Sequence, residues 1–98
     1  MFRNCTSVSD SPIHGKGLFA TCFIPANSLL GRLSGEYTTS DGAYVLWLDE
    51  TTGFRVSCSL RYINHSDEPN AVYYDDLEVH TLKDIYPGDE ITHDYGSG

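Results

Sequence analysis

The stretch Arg61-Tyr62-Ile63-Asn64-His65-Ser66-Asp67-Glu68-Pro69-Asn70 brings guanidinium, amide, imidazole, hydroxyl and carboxylate groups together just before a Pro-Asn turn. Polar groups crowded around a turn mark the edge of a small core, where they can be satisfied without being exiled to bulk solvent. A second string, Gly88-Asp89-Glu90-Ile91-Thr92-His93-Asp94-Tyr95-Gly96, follows Pro87 and continues as an alternating segment. Alternation sets Ile91, His93 and Tyr95 on one face and Glu90, Thr92 and Asp94 on the other. The two strings read as one site assembled from two distant segments. A third string lies near the front of the chain, Ser11-Pro12-Ile13-His14-Gly15-Lys16-Gly17-Leu18-Phe19-Ala20.

Taken singly, each string has an ordinary structural reading. Gly15-Lys16-Gly17 lacks the Ser or Thr of a phosphate loop and the third glycine of a dinucleotide fingerprint. A lone G-x-G is a tight turn, although its glycines would also let backbone approach a ligand closely. Asn64-His65-Ser66 reads as an Asx-type turn with a satisfied histidine, or as an amide whose donors and acceptor grip an amino-acid-like ligand. A metal site built on His65 and the nearby aspartates lacks a second histidine at ligand spacing, so no metal is expected. A tyrosine ending a strand, as Tyr95 does, is by itself a packing residue.

Outward from these strings, the chain reads as mostly β. Pro and Gly interrupt it at short intervals, and the segments between them are rich in Val, Ile, Leu and Tyr. Strands are expected up to Val8, over Gly17–Ala20 and over Leu29–Leu33, with a turn at Ile24-Pro25-Ala26-Asn27. The clearest hairpin joins Ala43–Leu48 to Phe54–Ser57 through Asp49-Glu50-Thr51-Thr52-Gly53. A second joins Val72–Tyr74 to Leu77–Leu82 around Asp75-Asp76. No apolar helical period persists for three turns, and Cys58–Ile63 is the best place for one helical turn.

With 98 residues the chain is expected to form one domain, residues 1–98, around a small core. Its formal charge of -8 would repel phosphate backbones, so direct nucleic-acid binding is not expected, whereas a basic protein or peptide is a suitable partner. No apolar run approaches the roughly 20 residues of a membrane span, and no signal peptide opens the chain. The three cysteines, Cys5, Cys22 and Cys58, are odd in number and not spaced as a zinc clip, which suits reduced thiols. The expected setting is therefore intracellular, cytoplasmic or nuclear.

Together and in this order, the three strings resemble the signature segments of the SET-domain family, the S-adenosylmethionine-dependent protein lysine methyltransferases. The resemblance runs over about residues 8 to 96 and is most specific at Arg61–Ser66 followed by Pro69-Asn70. It implies short strands in several small sheets, at most short helices, and a C-terminal segment that passes under a loop in a pseudoknot-like arrangement. By the same resemblance Lys16, Gly17 and Leu18 contact S-adenosylmethionine through backbone atoms, Asn64 and His65 hold its amino-acid and adenine ends, and Tyr95 is the catalytic tyrosine. Arg61 and Glu36 match family positions with structural roles.

The match is to a minimal member. Leu33 stands where many members place a channel tyrosine, and His93 stands at the Phe/Tyr position that helps set how many methyls are added. Asp67 replaces the cysteine that follows the Asn-His-Ser triplet in members with a zinc-binding tail, so no structural zinc is implied. The family's post-SET tail, which covers the adenine and closes the lysine channel, has no counterpart after Tyr95. A partner or a second copy in a homodimer is therefore expected to complete the channel. The implied function is methyl transfer to a lysine of a basic protein; the alternative is a catalytically silent SET-like module acting through protein contacts.

Overall fold

The computed structural model describes residues 3–42, 44–74 and 76–94. Among the described residues, ten short strands account for most of the regular structure: β1 (Thr6–Asp10), β2 (Lys16–Ala20), β3 (Leu29–Arg32), β4 (Gly35–Thr38), β5 (Val45–Trp47), β6 (Gly53–Val56), β7 (Asn64–His65), β8 (Ala71–Tyr73), β9 (Glu78–Thr81) and β10 (Glu90–His93). The helical content among the described residues is two 3-10 turns, Arg3–Cys5 and Ser59–Tyr62. The second falls within the Cys58–Ile63 segment expected to be helical.

Three small sheets result, in the orders β1-β2-β10-β7, β3-β9-β8 and β4-β6-β5. Most neighbouring strands are antiparallel, and the β1–β2, β5–β6 and β8–β9 hairpins are local, because Gly, Pro, Asn and Asp reverse the chain every few residues. In the β1–β2 hairpin Ser11 N–H donates to Gly15 O at 2.8 Å, and Gly15 takes the positive φ of 46° that this reversal needs. The β5–β6 hairpin closes through Leu48 N–H to Thr52 O at 2.8 Å, with Asp49 accepting from the Thr51 and Thr52 amides at 2.8 and 2.7 Å. Ala43 and Asp75, parts of the two expected hairpins, lie outside the described residues.

Other pairings join distant segments, β3 with β9 and β10 with two strands. β10 runs antiparallel to β2 and parallel to β7, with Thr92 opposite Asn64 and His93 opposite His65. The segment after β7 then folds back along the strand: Ser66 N–H donates to His93 O at 3.1 Å and Asn70 N–H to Thr92 O at 3.2 Å. The Asn70 side chain completes this clasp. Its amide nitrogen donates to Glu90 O at 2.9 Å and its oxygen accepts from Thr92 N–H at 2.8 Å. The expected pseudoknot-like closure of the C-terminal segment has this hydrogen-bonded form.

The core joins all three sheets. Leu18 and Ile91 from the first sheet, Leu30 and Val79 from the second and Phe54 and Val56 from the third are buried in one cluster with Ile24, Leu60 and Ile85. An Ile24–Ile85 bridge, bonded in both directions at 2.8 Å, ties the loop after β2 to the approach to β10. Thr81, 1% exposed, satisfies its hydroxyl by donating to Pro25 O at 2.7 Å and accepting from Ser28 N–H at 2.9 Å.

The structure corrects the expectation of reduced thiols. Cys5 and Cys22 form a disulfide, with their Cα atoms 5.3 Å apart, while Cys58 is free. The β1–β2 register is the cause: Thr6 lies opposite Ala20, and Thr21 N–H donates to Cys5 O at 2.7 Å, which draws the flanking residues together. Cysteine parity says nothing about a register set by strand pairing, and it ceases to support a reducing compartment.

Candidate active site

The three polar strings meet where β2, β7 and β10 adjoin, and Asn64 is the junction. The two N–H groups of its amide are shared among three acceptors, His14 O and Lys16 O, both at 3.1 Å, and the Glu90 carboxylate at 3.0 Å. All three partners are acceptors, so the orientation of the amide is fixed by chemistry. Glu90 is itself held by the Ser11 hydroxyl, 2.8 Å from each carboxylate oxygen. Ser11 Oγ in turn accepts from Ile13 N–H at 3.0 Å, which rigidifies the loop leading into β2.

This arrangement changes the meaning of Gly17. A Cβ at that position would collide with the Glu90 carboxylate and with Ser11. The missing side chain makes room for Glu90 to close over β2 and reach Asn64. Lys16 turns its ammonium outward to Asp10 at 2.6 Å, leaving its carbonyl for Asn64. Their hydrogen bond and charge attraction raise the Lys16 pKa and lower that of Asp10 at an exposed position.

Two cavities lie beside the junction. The inner one, about 210 Å³, is lined by Asn64 and Arg61 together with Tyr44, Leu46, Val56, Ile63 and Tyr73. The outer one, about 230 Å³, is lined by Leu46, Trp47, Leu48, Tyr73, Tyr74 and His93. Leu46 and Tyr73 belong to both. The His93 ring packs on Tyr73, centroid to centroid 4.1 Å, and is 8% exposed. Burial lowers its pKa to about 4, against a smaller opposing effect of Asp94, so the imidazole is neutral at pH 7.

A family model for the SET domain matches residues 15–96. The chain belongs to the SET-domain family. Among curated proteins, the histone-lysine N-methyltransferase trithorax of Drosophila virilis is 26% identical over 118 aligned residues, covering 96% of this chain and 3% of the relative. Its Drosophila melanogaster namesake is 25% identical over the same shares. The chain thus spans about 3% of the length of these curated relatives. A chain in the crystal structure of the Chaetomium thermophilum polycomb repressive complex 2 superposes with a TM-score of 0.81 at 20% identity, over 95% of this chain and 15% of that one. That likeness shows the SET fold. SET-domain methyltransferases use S-adenosylmethionine.

Against this SET frame the expected site residues divide. Asn64, Lys16 and Gly17 come together at the junction. Leu18 is fully buried between Val8 and Ile91, so only its backbone can face a ligand. His65 lines neither cavity, and its ring lies between Asp67 at 3.5 Å and Asp94 at 3.6 Å, although its backbone pairs with β10. His93 lines the outer cavity, whereas Leu33 is a core residue, 4% exposed, that lines neither. Tyr95 lies outside the described residues.

The matched positions Arg61 and Glu36 do structural work. The Arg61 guanidinium donates to Ser57 O at 2.7 Å and Cys58 O at 3.2 Å and sits 4.4 Å from the Tyr62 ring centroid, bracing the 3-10 turn ahead of Asn64. Glu36 pairs with Arg55 across the β4–β6 ladder at 3.7 Å. Sequence reading left Glu90, Asn70, Leu46 and Tyr73 without roles. A signal existed for Glu90, which alternation sets opposite Ile91, but Leu46 and Tyr73 look like ordinary strand residues until the sheets are packed.

Proposed function

We propose that this chain is an S-adenosylmethionine-dependent protein-lysine N-methyltransferase acting on a lysine of a basic protein. The observation that carries this reading is the wiring of Asn64. Three acceptors engage its amide nitrogen, so it meets a ligand through Oδ1, an acceptor suited to the ammonium of a methionine moiety. The inner cavity supplies apolar walls from Leu46, Val56 and Ile63 and aromatic ones from Tyr44 and Tyr73. This donor and wall set fits S-adenosylmethionine.

When bound, the cofactor supplies an electrophilic methyl on a sulfonium. The chain's own residues then act by positioning. Asn64 orients the amino-acid end, and backbone atoms of Lys16, Gly17, Leu18 and His65 frame the rest. His93, neutral and buried, leaves the channel without an added positive charge, so a lysine amine there is more easily deprotonated from its free pKa of about 10.4. Tyr95 orients the amine through its hydroxyl. A formal charge of -8 favours a basic partner. The histone-lysine relatives support a histone-like substrate and a nuclear setting, with residues 1–98 acting as one SET domain.

Calorimetry with S-adenosylmethionine, followed by transfer of a radiolabelled methyl to a core-histone mixture, tests the reading. Binding and labelling are expected in the wild type, and Tyr95→Phe should retain binding and the circular dichroism spectrum while losing transfer. Full transfer by that variant would remove Tyr95 from its role. Cofactor binding with no labelling of any basic protein would instead favour a silent module that works through protein contacts.

A further inference from the structure

Among the described residues, β1 is the longest strand that lies at the edge of a sheet. The bonds at its two ends join Cys5 to Thr21 and Ser11 to Gly15, so in this register the odd-numbered residues bond to β2. The amides and carbonyls of Val8 and Asp10 therefore face outward, where no described residue bonds them. Nothing blunts this edge. Thr6 to Asp10 pair with β2 in an unbroken register without proline or bulge, whereas β3 shifts register between Leu29 and Gly31. The Cys5–Cys22 disulfide pins one end of β1 and the Ser11–Gly15 bond the other, so little conformational freedom remains to be lost when another strand joins.

Side chains and charge say what fits there. Ile91 lies opposite Leu18 and Leu18 opposite Val8, a row across the first sheet. Leu18 and Ile91 are fully buried, but Val8 is 42% exposed, so the row ends at water. The one charged side chain of β1, Asp10, is paired with Lys16 at 2.6 Å, which leaves the edge neutral on a chain of formal charge -8. A basic partner finds no unpaired carboxylate on this strand, and a second copy meets no unpaired like charge. We propose that β1 is the pairing edge for a second copy of this chain, antiparallel and two-fold, with the two Val8 residues opposite each other. In that register each Val8 amide donates to the Val8 carbonyl of the other copy. The apolar row then runs on through the axis, and the two Asp10 side chains sit at opposite ends of the pairing.

So short a contact belongs with the small, transient interfaces, and a Kd on the order of 100 µM is expected. Sedimentation velocity from well below to well above that concentration should show a monomer passing into a dimer. Residue-resolved amide exchange carries the signature. The amides of Val8 and Asp10 should exchange freely in dilute protein and gain protection as the concentration rises, while those of Ser7 and Ser9 stay protected throughout. Val8→Pro removes the outward donor without touching a bond to β2, so it should keep the circular dichroism spectrum and weaken association at least about tenfold. Val8→Lys leaves the backbone intact, sets like charges opposite each other and should weaken association as much. Leu82→Ser, at an exposed apolar residue of another sheet's margin, should leave it unchanged.

A chain still monomeric at about tenfold above the expected Kd would overturn the pairing edge. So would a dimer that gives Val8 and Asp10 no added protection, or one that survives Val8→Lys. Salt separates the occupants, because two copies of charge -8 associate more tightly when screened, whereas a basic ligand is released. Protection of Val8 that appears only with added polylysine, and disappears in salt, would replace the second copy with a basic peptide.

Discussion

Around β10 the chain is held by side chains that reach backbone groups, whereas the β4-β6-β5 sheet is held by ladder bonds and rings. At β10, Asn70 bonds Glu90 O and Thr92 N–H, and Asn64 bonds His14 O and Lys16 O. In the other sheet Tyr37 packs edge-on to Phe54 at 5.1 Å, and Tyr44 to Tyr62 at 5.7 Å. An amide that satisfies buried backbone groups has no substitute of another type, while a ring contact tolerates exchange for another ring. The first region can therefore hold a fixed ligand geometry. The second can vary its walls.

The largest test of this contrast is Asn70→Ala. It removes both halves of the clasp and leaves the amide of Thr92, 6% exposed, without that bond, which should cost about 2–4 kcal/mol in urea denaturation. A loss below about 1 kcal/mol would show that the clasp is ornamental. By comparison Tyr37→Phe, in the ring-held sheet, should be close to neutral.

The next effect concerns pH. Burial depresses the His93 pKa to about 4 from 6.5, so between those values the unfolded state binds more protons than the folded one. Stability should be full above pH 6.5 and fall as the pH drops toward 4, with a ceiling of about 3 kcal/mol from this group. His93→Phe keeps a ring against Tyr73 and should flatten that part of the profile. An identical slope in the variant would assign the acid sensitivity to other groups.

Gly17→Ala should follow at about 1–3 kcal/mol, because its methyl group would intrude on Glu90 and Ser11. It should also weaken S-adenosylmethionine binding by displacing Glu90 from Asn64. Combined with Glu90→Asp, whose shorter side chain withdraws the carboxylate, the added penalty of Gly17→Ala should shrink. Additive losses in the double variant would contradict direct crowding.

Asp49→Ala should give the smallest change. Amides of Thr51 and Thr52 hold its carboxyl below the usual carboxylate range, so the hairpin loop loses support as the pH falls through that depressed pKa. A slight drop in Tm with cofactor affinity intact is expected. Loss of cofactor binding would show that the ring-held sheet and the junction are coupled more tightly than their separate bonding implies.

Local pairings were legible in the chain because their causes are local. Asp49 to Gly53 places a loop between two apolar runs, and β5 and β6 pair there, Leu46 opposite Phe54. The turn before Leu77 leads from β8 to β9 in the same way. The Cys5–Cys22 pair was not legible, since it depends on which residues the β1–β2 register brings together. Leu33 illustrates the opposite difficulty. Its place before Gly35-Glu36 suggested a channel, yet its amide bonds Leu77 O at 2.8 Å and its side chain joins the core.

The order of turn residues and the alternation of the strands were enough to determine a mostly β chain, because both rest on short-range geometry, and the three polar strings pointed to the SET domain through their resemblance to its signature segments. Only the tertiary structure decided that Gly17 makes room for Glu90, that Asn64 spends its amide nitrogen on the protein, and that Leu46 and Tyr73 divide two cavities. Those features arise where segments far apart in the chain come into contact, and excluded volume and hydrogen-bond satisfaction across such contacts are properties of the packed molecule.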